Sequence, residues 1–165
     1  MLSEHFSKED DMKQSVDVHN FLKNKDVPHE FFIMETAAKT TEQTAAILGL
    51  RPKEVVKSVI LFIDKKPTIA IIPSSKKISL EKIKKAFSKS DIVLASSKTA
   101  VKTTGYILNA TPPVAHETFC KTIVDESCMK LNVLYTIGGE MNAMLKIRPK
   151  DLIKLTSAKI LDITK

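Results

Sequence analysis

One lysine stands within the most hydrophobic segment of the sequence. Residues 55–63 read VVKSVILFI, and their β-branched side chains predict a strand that contains Lys57. Because side chains alternate along a strand, Lys57 shares a face with Val59 and Leu61, and Ser58 points to the other face. A lysine on a buried face must find a partner, reach a cavity or lose its charge. Two interpretations remain open: an ammonium that stabilises an anion or a polarised carbonyl, and an edge-strand lysine that reaches solvent and prevents aggregation.

The second candidate is a loop, GYILNATPP, from Gly105 to Pro113. Gly105 and Asn109 tolerate positive φ, and the two consecutive prolines stiffen the turn. Such a loop can direct backbone N–H groups at a ligand oxygen, as an oxyanion hole requires. An ordinary tight connection accounts for the same residues. The Gly138-Gly139 turn admits the same two interpretations.

Familiar nucleophile and metal motifs are absent from the sequence. The histidines at 5, 19, 29 and 116 have no ligand spacing, and Cys120 and Cys128 do not form a C-x-x-C pair. The sequence also lacks a P-loop, a G-x-G-x-x-G fingerprint and a G-x-S-x-G elbow. We therefore expect neither a metal nor a cofactor, and chemistry that does not use a standard nucleophile.

The positive charge is concentrated in the middle of the chain. The formal net charge is +7, and residues 51–110 alone carry 13 basic and 4 acidic side chains. Such a field attracts polyanions without distinguishing one base from another. Four lysines are candidates for contact with a phosphate backbone: Lys76, Lys77, Lys82 and Lys85. A solvated helix face is the alternative, and with 5% aromatic residues and no tryptophan, stacking on bases is not indicated.

Length and composition predict an ordinary globular domain. The 165 residues suggest one domain, which we place at residues 15–165 behind a flexible N-terminal tail, residues 1–14. No apolar run approaches the roughly 20 residues that span a bilayer, so we expect no membrane partner. Two cysteines exclude a disulfide framework and are typical of the reduced cytoplasm.

Hydrophobic periodicity predicts about seven short strands that alternate with short helices. The helix signals are a cap at Ser15, a capping box of Thr40 with Gln43, a cap at Ser79, and Pro149 in a first turn. Residues 55–63 and 68–72 read as a β-hairpin that turns at 64–66. This pattern indicates a mixed α/β domain rather than a doubly wound sheet.

Several segments in order resemble the YbaK and prolyl-tRNA-synthetase-associated editing domains. No single piece is specific, but the ordered set is, and it runs from about Pro28 to the end of the chain. The matching segments are TTEQTAAILGLRPKEVVKSVIL at 40–61, AIIP at 70–73, TTGY and its loop at 103–113, IVDES at 123–127, YTIGG at 135–139, and IRPKDLIKLT at 147–156.

The resemblance implies a fold and an activity. The fold is a mixed, partly closed, β-barrel-like sheet flanked by short helices. The activity is hydrolysis of the ester that joins a wrong amino acid to the terminal adenosine of a tRNA. The partners are then the tRNA acceptor end and, in addition, an aminoacyl-tRNA synthetase.

The resemblance also implies roles for particular residues. The lysine of the family falls on Lys57, where it supplies charge near the ester or the terminal phosphate. The family's loop falls on residues 109–113, whose backbone amides would hold the carbonyl oxygen or the attacking water. The implied catalytic set is Lys57, Asn109, Ala110 and Thr111. The implied substrate-binding set is Thr40, Thr41, Ser58, Gly105, Pro113, Gly138 and Gly139.

Four positions depart from the family pattern. Asn109 and Ala115 stand where glycines are common, Met144 stands where some members have a carboxylate, and Thr40 replaces an aromatic wall residue. The amino acid removed therefore stays open. Two alternatives to a deacylase also remain: a non-catalytic module that binds tRNA or an aminoacyl adenylate beside a synthetase, and a basic interaction domain whose lysines only confer solubility.

Overall fold

The structure, a computed structural model, describes residues 12–35, 39–88 and 91–165. The described helices are α1 Ser15–Asn24, α2 Thr41–Ile47, α3 Leu80–Phe87, α4 Ser97–Thr104 and α5 Pro149–Thr156. The described strands are β1 Glu30–Ile33, β2 Val55–Ile63, β3 Lys66–Pro73, β4 Ile92–Leu94, β5 Lys121–Asp125, β6 Leu134–Ile137, β7 Ala143–Ile147 and β8 Lys159–Leu161. Within these ranges no helix is both long and apolar enough to cross a membrane.

All eight described strands belong to one mixed sheet. Its order is β1-β7-β6-β2-β3-β5-β8, with β4 paired to β2 off this path. The pairs β2–β6, β3–β5 and β5–β8 are parallel, and the pairs β1–β7, β6–β7, β2–β3 and β2–β4 are antiparallel. The predicted mixed α/β fold is confirmed, with eight described strands rather than about seven.

The predicted hairpin joins the two longest strands. β2 and β3 pair from Val56 opposite Pro73 to Ile63 opposite Lys66. Asp64 and Lys65 connect them with φ values of 47° and 68°. Two consecutive positive φ values give the backbone twist that matches two antiparallel strands.

The edge of β2 that faces away from β3 is shared by two short strands. β6 pairs with Val55 and Val56 at its beginning, and β4 pairs with residues 61–63 at its end. The register leaves residues 57–59 without a strand partner on this edge. The sheet is therefore split between β4 and β6, beside Lys57.

Helices cover both faces of the sheet. The largest buried cluster packs Val56 and Ile60 against residues of α1, α4 and α5. The opposite face, which carries Leu61 and Ile63, packs against Ile83 of α3. Val55, on that same face by strand alternation, packs with Ala45 of α2 in a third cluster. Lys57 lies between the α2 and α3 contacts of its own strand.

Local signals begin most of the helices as predicted. The Thr40 hydroxyl accepts from the Gln43 N–H at 3.1 Å, and the Gln43 amide oxygen accepts from the Thr40 N–H at 3.3 Å. Ser79 caps α3 through the Lys82 N–H, and Pro149 opens α5. The cap predicted at Ser15 is wrong: Gln14 is the N-cap residue.

The described end of the predicted tail is packed against the domain. The Lys13 N–H donates to the Gly105 carbonyl at 2.9 Å, and the Ser15 N–H and hydroxyl both donate to Glu140 Oε1. Lys13, within that predicted tail, is therefore held to the end of α4 by a backbone hydrogen bond. Residues 1–11 of that predicted tail lie outside the described residues, as does Lys89, a further lysine of the positively charged middle segment.

The predicted loop has a different backbone from the one expected. Asn109 lies in a 3₁₀ turn, Leu108–Ala110, and does not adopt positive φ. Gly105 does, at +85°, where it ends α4. Ala115 also does, at +68°, a conformation that costs a residue with a Cβ about 1 kcal/mol.

Candidate active site

A cleft of about 370 Å³ opens at the split in the sheet. Residues 57–60 of β2 form its floor, Leu94 and Ala95 at the end of β4 close one side, and Thr136 and Ile137 of β6 close the other. The third wall is the 3₁₀ turn, and the fourth is the beginning of α2. The cleft exists because β4 and β6 pair with opposite ends of the same strand edge.

Lys57 lines this cleft and is half-buried. Its side chain forms no ion pair or hydrogen bond with any other residue in the described ranges. Both interpretations of the sequence meet here, because Lys57 lies at a locally open strand edge and also faces a cavity. An ammonium in such a place can attract and stabilise an anionic group.

Ser58 also lines this cleft. Its hydroxyl is buried and has no hydrogen-bond partner among the described residues. The Ile60 carbonyl, two residues on, accepts from the Ala95 N–H at 3.0 Å on the β4 side. Since successive peptide groups of a strand alternate in direction, the N–H and C=O of Ser58 also face this edge. A buried polar group without a partner carries a desolvation cost, so this residue is poised to bind a ligand.

The 3₁₀ turn brings Asn109 and Thr111 to the cleft, but not Ala110. The Ala110 N–H donates to the Ile107 carbonyl at 3.0 Å, and its side chain is buried against Val55. The N–H groups of Asn109 and Thr111 make no hydrogen bond in the described chain. Two of the three predicted amides therefore have no hydrogen-bond partner in the described chain, and that of Ala110 is already engaged.

The Thr111 side chain fixes this turn. Its hydroxyl lies 3.1 Å from the Ile107 carbonyl and 3.0 Å from the Leu108 carbonyl, and Thr111 is only 3% exposed. Because the O–H donates to these carbonyls, Thr111 has no hydroxyl donor left for a substrate, and its backbone N–H is its remaining donor.

The Gly138-Gly139 turn supports the 3₁₀ turn and does not line the cleft. The Gly139 N–H donates to the Ala110 carbonyl at 3.0 Å. A Cβ on Gly138 would lie 2.5 Å from Cε1 of Phe31, and one on Gly139, where φ is +101°, would lie 3.0 Å from the backbone of Gln14. Close packing accounts for both glycines.

Gly105 and Pro113 also lie outside the cleft lining. Between them, the Tyr106 hydroxyl donates to the Ala115 carbonyl at 2.9 Å, and burial raises the Tyr106 pKa. His116 Nε2 lies 2.7 Å from the Pro112 carbonyl, and burial lowers the pKa of this imidazole. These contacts hold the loop behind the site.

Thr40, Thr41 and Glu42, at the beginning of α2, line the wall opposite the 3₁₀ turn. The Thr40 hydroxyl accepts from the Gln43 N–H in the capping box, so its O–H is left to donate to a ligand. Glu42 is exposed and is the only acid among the described lining residues. Met144 is fully buried against Val55 and Ala110, and it contributes to the core rather than to the cleft.

The predicted phosphate-binding lysines are exposed but lie away from the cleft lining. Lys82 donates to Asp162 at 2.9 Å and to the Thr164 carbonyl at 2.6 Å, so much of its charge is already compensated. Lys76, Lys77 and Lys85 are free of ion pairs with described residues. Lys82 and Lys85 belong to α3, which covers the face of β2 that carries Lys57.

The described lining of the cleft contains neither histidine nor cysteine. His19 and His29 bind each other across 2.8 Å at the surface of the domain. Burial raises the pKa of Cys120 to about 11 and that of Cys128 to about 12, so both thiols stay protonated. Within the described residues, the charged and polar groups that line the cleft are the ammonium groups of Lys39 and Lys57, the Glu42 carboxylate, amides and hydroxyls.

Several residues of the cleft lining were not predicted from the sequence, among them Lys39, Glu42, Leu94, Ala95, Thr136 and Met141. Thr136 and Met141 lie on either side of the Gly138-Gly139 turn. The only sequence feature that pointed to this region was the position of the YTIGG segment among the family motifs. Leu94 and Ala95 reach the cleft through the β4–β2 pairing, which no local pattern reveals.

Comparison with known proteins places this geometry in a family. The family model described as aminoacyl-tRNA editing domain matches residues 35–155. A relative from Enterococcus faecalis (strain ATCC 700802 / V583), named provisionally as a Cys-tRNA(Pro)/Cys-tRNA(Cys) deacylase (EbsC), is 23% identical over 126 residues, which are 76% of this chain and 77% of the relative.

Two solved structures share the fold closely. A hypothetical protein, APE2540, has a TM-score of 0.85 at 27% identity and covers 90% of this chain and 99% of its own. A crystal structure described provisionally as a trans-editing enzyme for prolyl-tRNA synthetase has a TM-score of 0.84 at 20% identity, with coverage of 92% and 96%. Because the family model spans most of the chain, including Lys57 and the 3₁₀ turn beside it, the protein belongs to the aminoacyl-tRNA editing domain family.

Proposed function

We propose that this chain hydrolyses the ester bond between a wrongly attached amino acid and its tRNA. The observation that carries the proposal is the unpaired Lys57 in a cleft that is also lined by Ser58, Asn109 and Thr111. The family membership of the chain and the deacylase name of its Enterococcus relative agree with this reaction class.

Water is the nucleophile in the proposed reaction. It adds to the ester carbonyl, the bond from carbon to the ribose oxygen breaks, and the ribose oxygen takes up a proton. The products are a free amino acid and a tRNA with a free hydroxyl. In this proposal the N–H groups of Asn109 and Thr111 donate to the carbonyl oxygen as it gains charge, and preorganised donors of this kind lower the barrier.

Lys57 supplies positive charge to the same reaction. Its ammonium faces the cleft without a competing carboxylate partner among the described residues, so its field is available to the developing oxyanion or the terminal phosphate. A half-buried charge is screened less by solvent than an exposed one.

The walls of the cleft would select the amino acid. Apolar side chains from β2, the end of β4 and the 3₁₀ turn limit its size, and Ser58 supplies hydrogen-bonding groups at the floor. Cavity size alone distinguishes two amino acids by about 1–3 kcal/mol per methylene group. A polar group in the site discriminates more strongly, because a substrate that cannot form a hydrogen bond with it leaves it unpaired.

The substitution Lys57→Ala tests the proposal. We expect kcat/KM for deacylation to fall by about 100-fold or more, because one preorganised electrostatic group is removed. The assay measures release of amino acid from tRNAs charged with alanine, cysteine, serine or proline. Lys53→Ala, which changes an exposed lysine just before β2, is the matched control and should retain full activity.

Two results would contradict the proposal. One is the absence of hydrolysis of any charged tRNA by the wild-type chain. The other is a Lys57→Ala variant, shown to be folded by thermal melting, that retains wild-type turnover.

The second candidate function is a non-catalytic module that binds tRNA or an aminoacyl adenylate. The observation that favours it is the lack of a buried general base: Glu42 is the only described carboxylate in the lining, and it is exposed. This function predicts tight tRNA binding without turnover. In that case Lys57→Ala weakens tRNA binding, because one positive charge is lost. Neither the wild type nor the variant then hydrolyses charged tRNA.

A further inference from the structure

An exposed aromatic ring stands between two cavities away from the cleft. Phe119, just before β5, is 83% exposed, more than any other large hydrophobic residue in the described ranges. It lines one cavity of about 350 Å³ and another of about 420 Å³. The ring is therefore free to pack against a partner, which would remove its apolar surface from water.

The cavity of about 350 Å³, which we call the Phe119 groove, combines an apolar floor with a basic rim. Ile63, Phe87 and Ile123 form the floor. Lys66, Lys121 and Lys159 stand at the rim. Ile63 and Ile123 belong to the cluster that packs against α3, so the floor lies on the sheet face that carries Lys57.

The charges at the rim are uncompensated and partly oriented. None of the three lysines forms an ion pair with a described residue. The Lys159 ammonium lies 5.3 Å from the centre of the Phe87 ring, a cation–π contact that holds it beside the floor. Asp64 is the only acid among the described residues of the groove. The groove therefore complements an anionic partner.

We propose that the Phe119 groove binds single-stranded RNA, with a base stacked on Phe119 and the adjoining phosphates held by Lys121 and Lys159. Aromatic platforms beside basic side chains are the combination that recognises unpaired nucleotides, since every base has a π-face and every linkage a charge. Duplex RNA keeps its bases stacked on each other and cannot use the ring.

The groove and the cleft suit one extended ligand. Ile63, in the groove floor, is six residues from Lys57 along β2, which corresponds to about 20 Å. The identity of the RNA as the unpaired part of a tRNA rests on the proposed function. Binding of single-stranded RNA at the groove does not, since it requires no ester hydrolysis.

The test is the affinity of the full chain for a mixed-sequence 12-nucleotide RNA, measured by fluorescence anisotropy. Phe119→Ala should weaken binding by about 5- to 150-fold, as removal of one stacking aromatic does. Ile33→Ala is the matched control, because Ile33 is 63% exposed on β1, at the opposite end of the strand order, and it should bind as wild type does.

The lysines are tested by the salt dependence of the same binding. Lys121→Ala with Lys159→Ala should reduce the slope of log K against log salt by about 0.7 for each phosphate that the protein no longer neutralises. Lys98→Ala, at an exposed position on α4, should leave the slope unchanged. A duplex of the same sequence should show no dependence on Phe119.

Three outcomes would overturn the groove proposal. They are unchanged affinity of Phe119→Ala for the oligonucleotide, an equal decrease in affinity for the duplex, and binding that depends on Phe119 only with vesicles containing phosphatidylserine. Each leaves the deacylase proposal standing, because that proposal is judged by ester hydrolysis and Lys57→Ala. Conversely, a chain without deacylase activity still reports on the groove through oligonucleotide binding.

Discussion

At the scale of single residues, Ser58 and Lys57 occupy neighbouring positions with opposite side-chain directions. In an intact sheet the two side chains would be separated by the sheet itself. Here both reach one cleft, because β2 has no strand partner along residues 57–59 on that edge in the described chain. Lys57 and Ser58 therefore line the same cleft because the sheet is open at this edge, although their side chains point to opposite faces of the strand.

Ser58→Ala separates ligand binding from stability. We expect the free energy of unfolding to stay level or rise by up to about 1 kcal/mol, because the hydroxyl is buried without a partner among the described residues. We expect kcat/KM for deacylation to fall by about 2- to 13-fold, the effect of removing one hydrogen bond. Denaturant titration and the charged-tRNA assay measure the two effects, with exposed Ser75→Ala as the control. A fall of more than about 1 kcal/mol in unfolding free energy would mean that the hydroxyl has a partner in the folded chain.

At the scale of elements, one turn positions another. The 3₁₀ turn and Thr111 after it line the cleft, and the Gly138-Gly139 turn supports the 3₁₀ turn through the Gly139–Ala110 hydrogen bond. The resemblance to the editing domains predicts that these glycines contact substrate. Their packing against Phe31 and Gln14 indicates that they act on the site through the position of the 3₁₀ turn.

Gly138→Ala should therefore destabilise the fold. The new Cβ would meet the Phe31 ring at 2.5 Å and Leu145 Cβ at 3.3 Å, an overpacking that typically costs about 1–3 kcal/mol. Chemical denaturation measures this decrease in stability. Gly49→Ala is the comparison, because a Cβ there meets nothing within 4 Å and only the positive φ opposes it. A Gly138→Ala variant with wild-type stability but no turnover would instead identify a direct substrate contact.

At the scale of the whole molecule, Asp125 ties the end of β5 to the C-terminal segment. Its buried carboxylate accepts from the Ile163 N–H at 3.0 Å, from the Thr164 hydroxyl at 3.3 Å, and from the N–H and hydroxyl of Ser127. Thr164 also pairs with Ile78 and accepts from Lys82, so this carboxylate fastens the segment that leads into α3.

Asp125 gives stability a defined pH dependence. Burial alone would raise its pKa, but the hydrogen bonds from Ser127, Ile163 and Thr164 outweigh burial and hold the pKa below its ordinary value of 3.8. A lowered pKa in the folded state means that the stabilisation is complete above the unfolded pKa and is lost as pH falls through the folded one. We therefore expect this contribution to disappear only below about pH 4.

Asp125→Asn tests this pH dependence. At neutral pH it should lower the free energy of unfolding by about 1–3 kcal/mol, since hydrogen bonds to a charged acceptor are replaced by neutral ones. The difference between wild type and variant should stay constant from about pH 5 to 8 and shrink below about pH 4. Exposed Asp162→Asn, whose partner is Lys82, should cost at most about 1 kcal/mol. A difference that is unchanged down to about pH 2 would contradict the assignment.

The elements could be predicted because their signals are local. The hairpin of β2 and β3, the capping box of Thr40 and Gln43, and the Pro149 start each depend on a few adjacent residues. The conformation of Asn109 could not be predicted in this way, because the 3₁₀ turn is also held by the Gly139 N–H, which is distant in the sequence. The positions of Ala110 and Met144 could not be predicted for the same reason: their burial depends on packing between elements that are far apart in the chain.

By itself, the sequence determined that a lysine would sit in a hydrophobic strand of a mixed α/β domain, and its ordered motifs indicated the family. Those features follow from alternation, caps and residue order. Only the tertiary structure decided that Lys57 faces a cavity, since the cleft depends on β4 and β6 binding opposite ends of one strand edge. Strand order and register are set by long-range packing, and no local pattern encodes where a sheet will be left open.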